Sequence, residues 1–408
     1  MSSRKVARLM GLVVVSGAAT CASAQPQYEI YAISLPGQAN SNGQGVSSNG
    51  AYVTGTSNNT AIRWTESGGM VALPALASPS RPFSLAQAVS DTGVVVGTGA
   101  TTFFGSSPLP IMWTDESTII QLPLPAGETI GRAYGVNSSG LAVGSVDGGS
   151  LEQAATYTTA SSTVITQTMP NGGVLTTAYA VNNAGRIVGQ ALNPNNAAVL
   201  NAFYIDPGDS AATDIGALTA LGHNSAIAFA VSSDGRIAGS SSFNGGVDAR
   251  AFVWSEAEGM TEVPLLPGTT YGSARGVNAD GWVVGNMASA TSIVFVYDGT
   301  QTYRAQDLIP AGSGWDLVSG TSNGAFGIAD NGVITGRGLL NGNITGFVMV
   351  PVSDCVADTN NDGMLTPADF TAWIAAFNAQ APECDQNGDN ACTPADFTAW
   401  IANYNGGC

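Results

Sequence analysis

Gly276-Val-Asn-Ala-Asp-Gly281-Trp-Val-Val-Gly285 is one of seven related strings in this chain. The others start at Gly45, Ala88, Gly135, Ala180, Ala230 and Gly327. Their central turn glycines, Gly50, Gly93, Gly140, Gly185, Gly235, Gly281 and Gly332, fall 43 to 51 residues apart. Each string is a short apolar run, a tight polar turn closed by glycine, and a second apolar run. That pattern is a β-hairpin in which glycine supplies the positive φ of the turn. Two further runs flank every hairpin. Ahead of it stands a segment such as Ile119-Ile-Gln-Leu-Pro123. Behind it comes an aromatic strand: Ile62-Arg-Trp64, Ile111-Met-Trp113, Thr156-Tyr157, Phe203-Tyr204, Phe252-Val-Trp254, Val294-Phe-Val-Tyr297 or Phe347-Val-Met349. Four strands in a repeat of about 45 residues make one blade of a β-propeller. With residues 28–35 opening the first repeat and 347–350 closing the last, seven units fit. The predicted fold is therefore all-β, a seven-bladed propeller of four-stranded repeats over residues 25–352. A β-helix is the alternative, although its coils are usually shorter and more uniform. The aromatic positions are expected to form the core between blades.

Residues 353–408 follow a different rule. Asp358-Thr-Asn360-Asn-Asp362-Gly363-Met364-Leu365-Thr366-Pro-Ala-Asp369 places oxygen side chains at positions 1, 3, 5 and 12 of a twelve-residue loop. Asp385-Gln-Asn387-Gly-Asp389-Asn390-Ala391-Cys392-Thr393-Pro-Ala-Asp396 repeats the pattern 27 residues later. Calcium, a hard cation, takes six to eight oxygen ligands around such a loop. The expected ligands are Asp358, Asn360, Asp362, Asp369 and the Met364 carbonyl for one ion. For the second they are Asp385, Asn387, Asp389, Asp396 and the Ala391 carbonyl. Thr366 and Thr393 at position 9 would act through water. Thr366-Pro367 and Thr393-Pro394 read as helix starts, a hydroxyl cap followed by proline at the first helical position. Phe370, Trp373, Ile374 and Phe377, then Phe397, Trp400, Ile401 and Tyr404, recur at helical spacing. Each unit is thus a loop and a helix, a small α-helical, EF-hand-like domain without the entering helix.

Two resemblances rest on these strings. The duplicated loop and helix, with Thr-Pro-Ala-Asp-Phe-Thr-Ala-Trp-Ile in both copies, resembles a dockerin of the cysteine-bounded subtype. That resemblance implies two bound calcium ions and docking to a cohesin-like or other extracellular or cell-surface protein. Two departures stand out. Position 6 is Gly363 in one loop but Asn390 in the other, and positions 10 and 11 are Pro-Ala where many dockerins present hydroxyls to cohesin. The seven hairpin strings with their aromatic strands resemble the extracellular HAF-type repeat, which implies an extracellular repeat domain and no defined ligand.

Compartment and charge agree with each other. Arg4, Lys5 and Arg8, an apolar stretch from Met10 to Ala19, and Ala22-Ser23-Ala24 before Gln25 form a secretion signal over residues 1–24. The apolar stretch is too short for a membrane anchor, and no later segment suits a transmembrane span. Past residue 24 there remain 29 acids and nine arginines, a net charge of −20, with no lysine. Such a chain does not bind nucleic-acid backbones by charge. Cys355, Cys384, Cys392 and Cys408 lie in the C-terminal unit, and the fifth cysteine lies in the signal. Four cysteines allow three pairings. Cys384–Cys392 with Cys355–Cys408 is preferred here, and a zinc site is the less suitable alternative for a secreted chain.

Strand alternation sorts the propeller loops onto two faces. The hairpin turns share one face with connections carrying Glu66, Asp115, Glu116, Asp206, Asp209, Glu256, Glu258 and Asp298. The opposite face has loops of variable length and carries Arg81, Phe83, Arg132, His223, Tyr271, Arg275, Trp315 and Asp316, with Arg250 and Arg337 nearby. Arginines and aromatics around a central funnel would suit a carbohydrate or an acidic polymer. Catalysis has less support. His223 is the only histidine, with no serine or cysteine partner evident in sequence. No phosphate-binding Gly-Lys-Ser/Thr loop occurs. The expected function is a secreted, non-catalytic binding or scaffold protein displayed through its docking module. A polysaccharide-active enzyme targeted by the same module is the alternative.

Overall fold

The computed structural model describes residues 25–38, 40–76, 83–100, 107–147, 151–352, 356–360, 365–389 and 391–406. Seven antiparallel sheets make a seven-bladed β-propeller, and two helices follow at the C-terminus. Blade 3 shows the plan. Ile130–Val136, Ala142–Asp147, Gln153–Tyr157 and Ser162–Val164 pair in that order, and are here named a to d from the centre outward. The inner a strands of the seven blades are Ser41–Val46, Phe83–Val89, Ile130–Val136, Leu175–Val181, Ser225–Val231, Tyr271–Val277 and Gly324–Ile328.

The phase of the repeat differs from the sequence reading. The run Ile119–Gln121 does not open a blade. It pairs with Leu109–Trp113 as the outer d strand of the preceding sheet. Tyr28–Ala32 likewise belongs to the last blade, not the first. It pairs antiparallel with Asn343–Pro351, Tyr28 opposite Pro351 and Ala32 opposite Phe347. Further bonds run from Ile33 N to Gly346 O (2.9 Å) and from Val352 N to Gln27 O (2.9 Å). The two ends of the propeller chain thus close the ring in one sheet. The count of seven is unaffected, because shifting the phase removes a strand at one end and adds it at the other.

A shared irregularity shapes every blade. The pairing of strand a with strand b slips by one residue in all seven sheets, between Gly43 and Gly45, Ala86 and Ala88, Ala133 and Gly135, Ala178 and Ala180, Ala228 and Ala230, Ala274 and Gly276, and Ala325 and Gly327. These are β-bulges, which insert an unpaired residue and re-aim its side chain. The last glycine of each string faces the bulge. A Cβ on Gly144 would run into the Arg132 carbonyl oxygen, and one on Gly189 into that of Thr177. The aromatic c strand explains the other side of the same glycine. Phe203 sits directly across from Gly189 with its ring edge 2.9 Å from the position of that missing Cβ. Phe203, Phe252, Phe295 and Phe347 are fully buried in this way, each contributing about 1.5–3 kcal/mol of apolar burial.

The asparagine of the string joins neighbours. Asn182 Oδ1 accepts from Arg186 N of its own turn (2.9 Å), while its Nδ2 donates to Ser232 O of the next blade (3.0 Å). Asn137 reaches Asn182 O, and Asn278 reaches Ala329 O, in the same manner. All three are buried, so one amide satisfies both a turn donor and an inter-blade acceptor. Where the inner strands abut, the first residue of the string is glycine or alanine. A Cβ on Gly135 would lie 2.9 Å from Ala180 Cα.

At the C-terminus, α1 (Pro367–Ala379) and α2 (Pro394–Gly406) each begin at the expected Thr-Pro. Thr366 caps α1 in a capping box with Asp369. Trp373 and Trp400 are buried with Ala357 against Phe370, Phe377, Tyr404 and Leu365. Among the described residues no helix is long and apolar enough to cross a membrane.

The bulge glycines generate the first prediction. Gly189→Ala forces its methyl onto backbone and should lower the stability of the propeller by about 3 kcal/mol. Gly140→Ala, at φ 81° with open space around it, should cost only about 1 kcal/mol. Urea denaturation of the two variants beside the wild type would measure this. Equal losses would show that the bulge carbonyl relaxes out of the way.

Candidate functional site

The seven bulge residues are Gln44, Gln87, Tyr134, Tyr179, Phe229, Arg275 and Phe326, one from each blade. Together they ring the central channel, which encloses a cavity of about 270 Å³. Tyr134 and Tyr179 rings pack at 5.6 Å and Tyr179 and Phe229 at 5.2 Å. The Arg275 guanidinium carbon then lies 3.8 Å from the Phe229 ring centre. Three aromatic faces and a cation thus form a continuous arc. Burial draws the Arg275 pKa below its ordinary value.

The hairpin turns supply the opposite end of the cavity. Asp91 accepts hydrogen bonds from Ser48 Oγ (2.7 Å), Asn49 N (2.8 Å), Asn183 Nδ2 (2.7 Å) and Ser138 Oγ (3.4 Å). Asp330 accepts from Ser233 Oγ (2.7 Å) and Ala279 N (2.9 Å). Burial raises the Asp91 pKa, but these donors outweigh it and hold the carboxyl below its usual range. This end is a polar floor that ties neighbouring blades and also non-adjacent ones, as from Asp91 to Asn183.

The acidic residues of the hairpin-turn face are partly neutralised. Arg63 pairs with Glu116 (2.7 Å), and Arg186 with both Asp206 (2.7 Å) and Glu256 (2.6 Å). Both arginines also donate to a turn glycine carbonyl of the next blade, Gly93 and Gly235.

The residues expected on the variable-loop face go to different places. Arg275 lines the channel, and Arg132 lies on the same kind of inner strand two residues before Tyr134. Tyr271 is 41% exposed. Trp315 is 7% exposed and packs edge-on against Phe347 at 5.9 Å, inside the core of the closing blade. His223 is 3% exposed, with Nδ1 3.1 Å from Ser241 Oγ and Nε2 without a partner. Ser241 Oγ also serves Leu218 N and Ser225 O, so the pair is buried packing. Arg250 is tied to Asp248 (2.6 Å) and Glu262 (3.4 Å). Arg81 lies outside the described residues. The sequence reading included Arg275 but missed the other six channel residues. Their signal was the residue just before each of the other six strings, Gln44, Gln87, Tyr134, Tyr179, Phe229 and Phe326.

A second assembly of ligating groups lies in the loop before α2. The carboxylates of Asp385, Asp389 and Asp396 converge within 4.8 Å. Backbone N–H groups aim them. Gly388 N donates to Asp385 (2.8 Å), Ala391 N to Asp389 (2.9 Å), and Gln386 N and Thr393 N to Asp396 (3.0 and 2.7 Å). Asn387 stands beside them, 3.1 Å from Asp389. Asp369 accepts equivalently from Thr366 N (2.8 Å) and Asn360 N (3.3 Å). Burial raises the pKa of Asp369 and Asp396, and these N–H donors outweigh it and bring both below the usual range. The helices brace each other's loops: Trp373 Nε1 of α1 donates to Cys384 O (3.1 Å), and Trp400 Nε1 of α2 to Ala357 O (3.3 Å). Each carbonyl immediately precedes position 1 of a loop. Cys384 and Cys392 form a disulfide with Cα atoms 5.6 Å apart. Asp362, Gly363, Met364, Asn390, Cys355 and Cys408 lie outside the described residues.

No protein-family model and no curated protein sequence matches the chain. Solved structures do. An oligogalacturonate lyase in complex with manganese is similar at 10% identity and a TM-score of 0.48, covering 80% of this chain and 97% of that one. A streptogramin B lyase is similar at 14% identity and a TM-score of 0.41, covering 79% and 97%. A mutant of AofleA from Arthrobotrys oligospora is similar at 14% identity and a TM-score of 0.37, covering 80% and 90%.

His223 provides a pH prediction. Burial holds its pKa below the ordinary value of 6.5, with Asp248 and Glu262 opposing and Arg250 assisting. The folded protein keeps it neutral, so the unfolded chain takes up the proton first as pH falls. Stability from this group is complete above about 6.5 and declines below it. The drop in urea midpoint from about pH 7.5 to about pH 5 should be smaller in His223→Gln than in the wild type. Parallel pH profiles would show that His223 is solvated.

Proposed function

We propose that this is a secreted, non-catalytic binding protein whose propeller presents the ligand-binding channel. A dockerin-like unit at its C-terminus, folded around two calcium ions, fixes the propeller to a cohesin-like or other extracellular partner. The carrying observation is the convergence of Asp385, Asp389 and Asp396 within 4.8 Å. Three carboxylates this close repel one another, and a divalent cation relieves that repulsion. The donor set fits calcium: hard oxygens, with Asn387 alongside and the Ala391 carbonyl at position 7. Asp358, Asn360 and Asp369 stand at the same positions of the first loop.

The disulfide Cys384–Cys392 suits an oxidising compartment, as does the signal-like N-terminus. Ile374, Phe397 and Ile401 are each 41% exposed on the two helices, an apolar surface suited to a protein partner. For the propeller, the two carboxylates of the channel floor are engaged by hydrogen-bond donors. That is the behaviour of structural ties more than of a catalytic pair.

Calcium and folding are coupled in a unit this small. Chelator should therefore abolish the helical circular dichroism of the C-terminal unit and shift the fluorescence of Trp373 and Trp400, with the β-sheet signal retained. Capture of a partner from the host's envelope and culture fluid by the mature protein should need calcium and fail for an Asp385→Asn/Asp396→Asn variant. A spectrum indifferent to chelator would overturn the calcium reading. Capture that persists in chelator would overturn calcium-dependent docking.

A further inference from the structure

We propose that the central channel binds a small carboxylate-bearing ring compound, in chemistry an acidic sugar unit, with Arg275 holding the carboxylate. The inference deepens the reading of the propeller as the binding part and rests on it. Arg275 makes no ion pair and no hydrogen bond among the described residues, and its one contact of note is the Phe229 ring at 3.8 Å. Arg63, Arg186, Arg236 and Arg250 each hold a carboxylate. Arg132, Arg304 and Arg337 also make no ion pair among the described residues, but Arg337 donates to Ser322 O (2.6 Å), and of these unpaired cations it is Arg275 that lines the central cavity. Such a charge is unfavourable to desolvate unless something pairs with it. The Phe229 ring packs against the guanidinium carbon, and the guanidinium donors meet no acceptor among the described residues. Those donors match a carboxylate in bidentate geometry.

The rest of the cavity narrows the ligand. Tyr134, Tyr179 and Phe229, inclined 45° and 57° to one another, give the cavity an aromatic wall for the C–H face of a ring. Gln44 and Gln87, from the first two blades, bring amide groups that donate to and accept from hydroxyls. The floor carboxylates, already engaged by serine, asparagine and backbone donors, add acceptors at the far end from a ligand anion. At about 270 Å³ the cavity is near the lower bound of small-ligand pockets, about 300–1,000 Å³. It admits one ring, not a polymer, and the acidic exterior would repel a polyanion in any case.

The test is titration calorimetry on the mature protein in calcium, with D-glucuronate, D-glucose and acetate as probes. Glucuronate should bind with 1:1 stoichiometry, and glucose and acetate about tenfold more weakly or worse. Arg275→Gln should weaken glucuronate by about tenfold or more, and Arg275→Lys by less, because the charge remains while the fork is lost. Arg304→Gln, an exposed arginine on the outer strand of the same blade, should bind as the wild type does. Phe229→Leu, with Arg275 intact, should weaken all ring probes. Thermal melts establish that each variant is folded. Methyl β-D-glucuronide binding as well as the free acid would identify the end of a glycan as the ligand, and its rejection would identify the free acid. Equal glucuronate affinity in wild type and folded Arg275→Gln would overturn the channel site while leaving the propeller a binding part elsewhere. No glucuronate binding at all would also overturn the inference, without touching calcium-dependent docking, which is read on different residues.

Discussion

The carbonyl oxygen of each inner strand, pressed against a glycine of its neighbour, is the constraint on which the propeller depends. At the bulge the inner strand turns its carbonyl toward strand b, and only a residue without a Cβ leaves room. In four blades the same glycine then leaves a hollow on the sheet that a c-strand phenylalanine fills. One steric demand thus sets the bulge, the blade core and the direction of the bulge side chain at once. Seven repetitions deliver seven side chains to one axis. A change at the glycine would be felt in the channel through the adjacent strand, because the bulge is where the channel residue is aimed.

Much of this was legible in sequence because it is local. Hairpin turns show as glycine at a fixed offset, and the aromatic strand as a fixed neighbour. The carboxylate cluster before α2 shows because Asp385, Asp389 and Asp396 stand at fixed offsets in one short loop. The bulge was not legible. An extra residue in one strand disturbs the alternation by a single step, and alternation over four to seven residues is too short to register it. The phase of the repeat was ambiguous for a different reason. A closed ring of four-stranded units reads the same from any strand, and only the ends break the tie. Tyr28–Ala32 looks like any opening strand until its partner is known to be Asn343–Pro351.

His223 and Trp315 show a third limit. His223 sits in a loop and Trp315 in a two-residue strand paired with Ile334–Leu340, and both turn inward. His223 meets Ser241, eighteen residues on, and Trp315 meets Phe347. Packing across a blade decided their burial, and nothing within a few residues of either signals it. Arg275 is the converse case, a charged residue that stays near the axis because its backbone position admits no other direction.

The closure of the ring has a consequence for how the protein comes to be. Chains emerge N-terminus first, so Tyr28–Ala32 exists long before Asn343–Pro351 does. Until then the strand has no sheet to join, and the growing stack of blades keeps two unpaired edges of the kind that recruit foreign strands. Folding to the final ring is therefore an event of high contact order, completed only after the last blade is made. An incomplete chain is not a smaller propeller but an open one, and once Asn343–Pro351 is made, the first strand of a second copy is chemically identical to the one it should receive from its own chain. Crowded expression should then favour exchange of that strand between copies, giving chains linked end to end through otherwise ordinary blades.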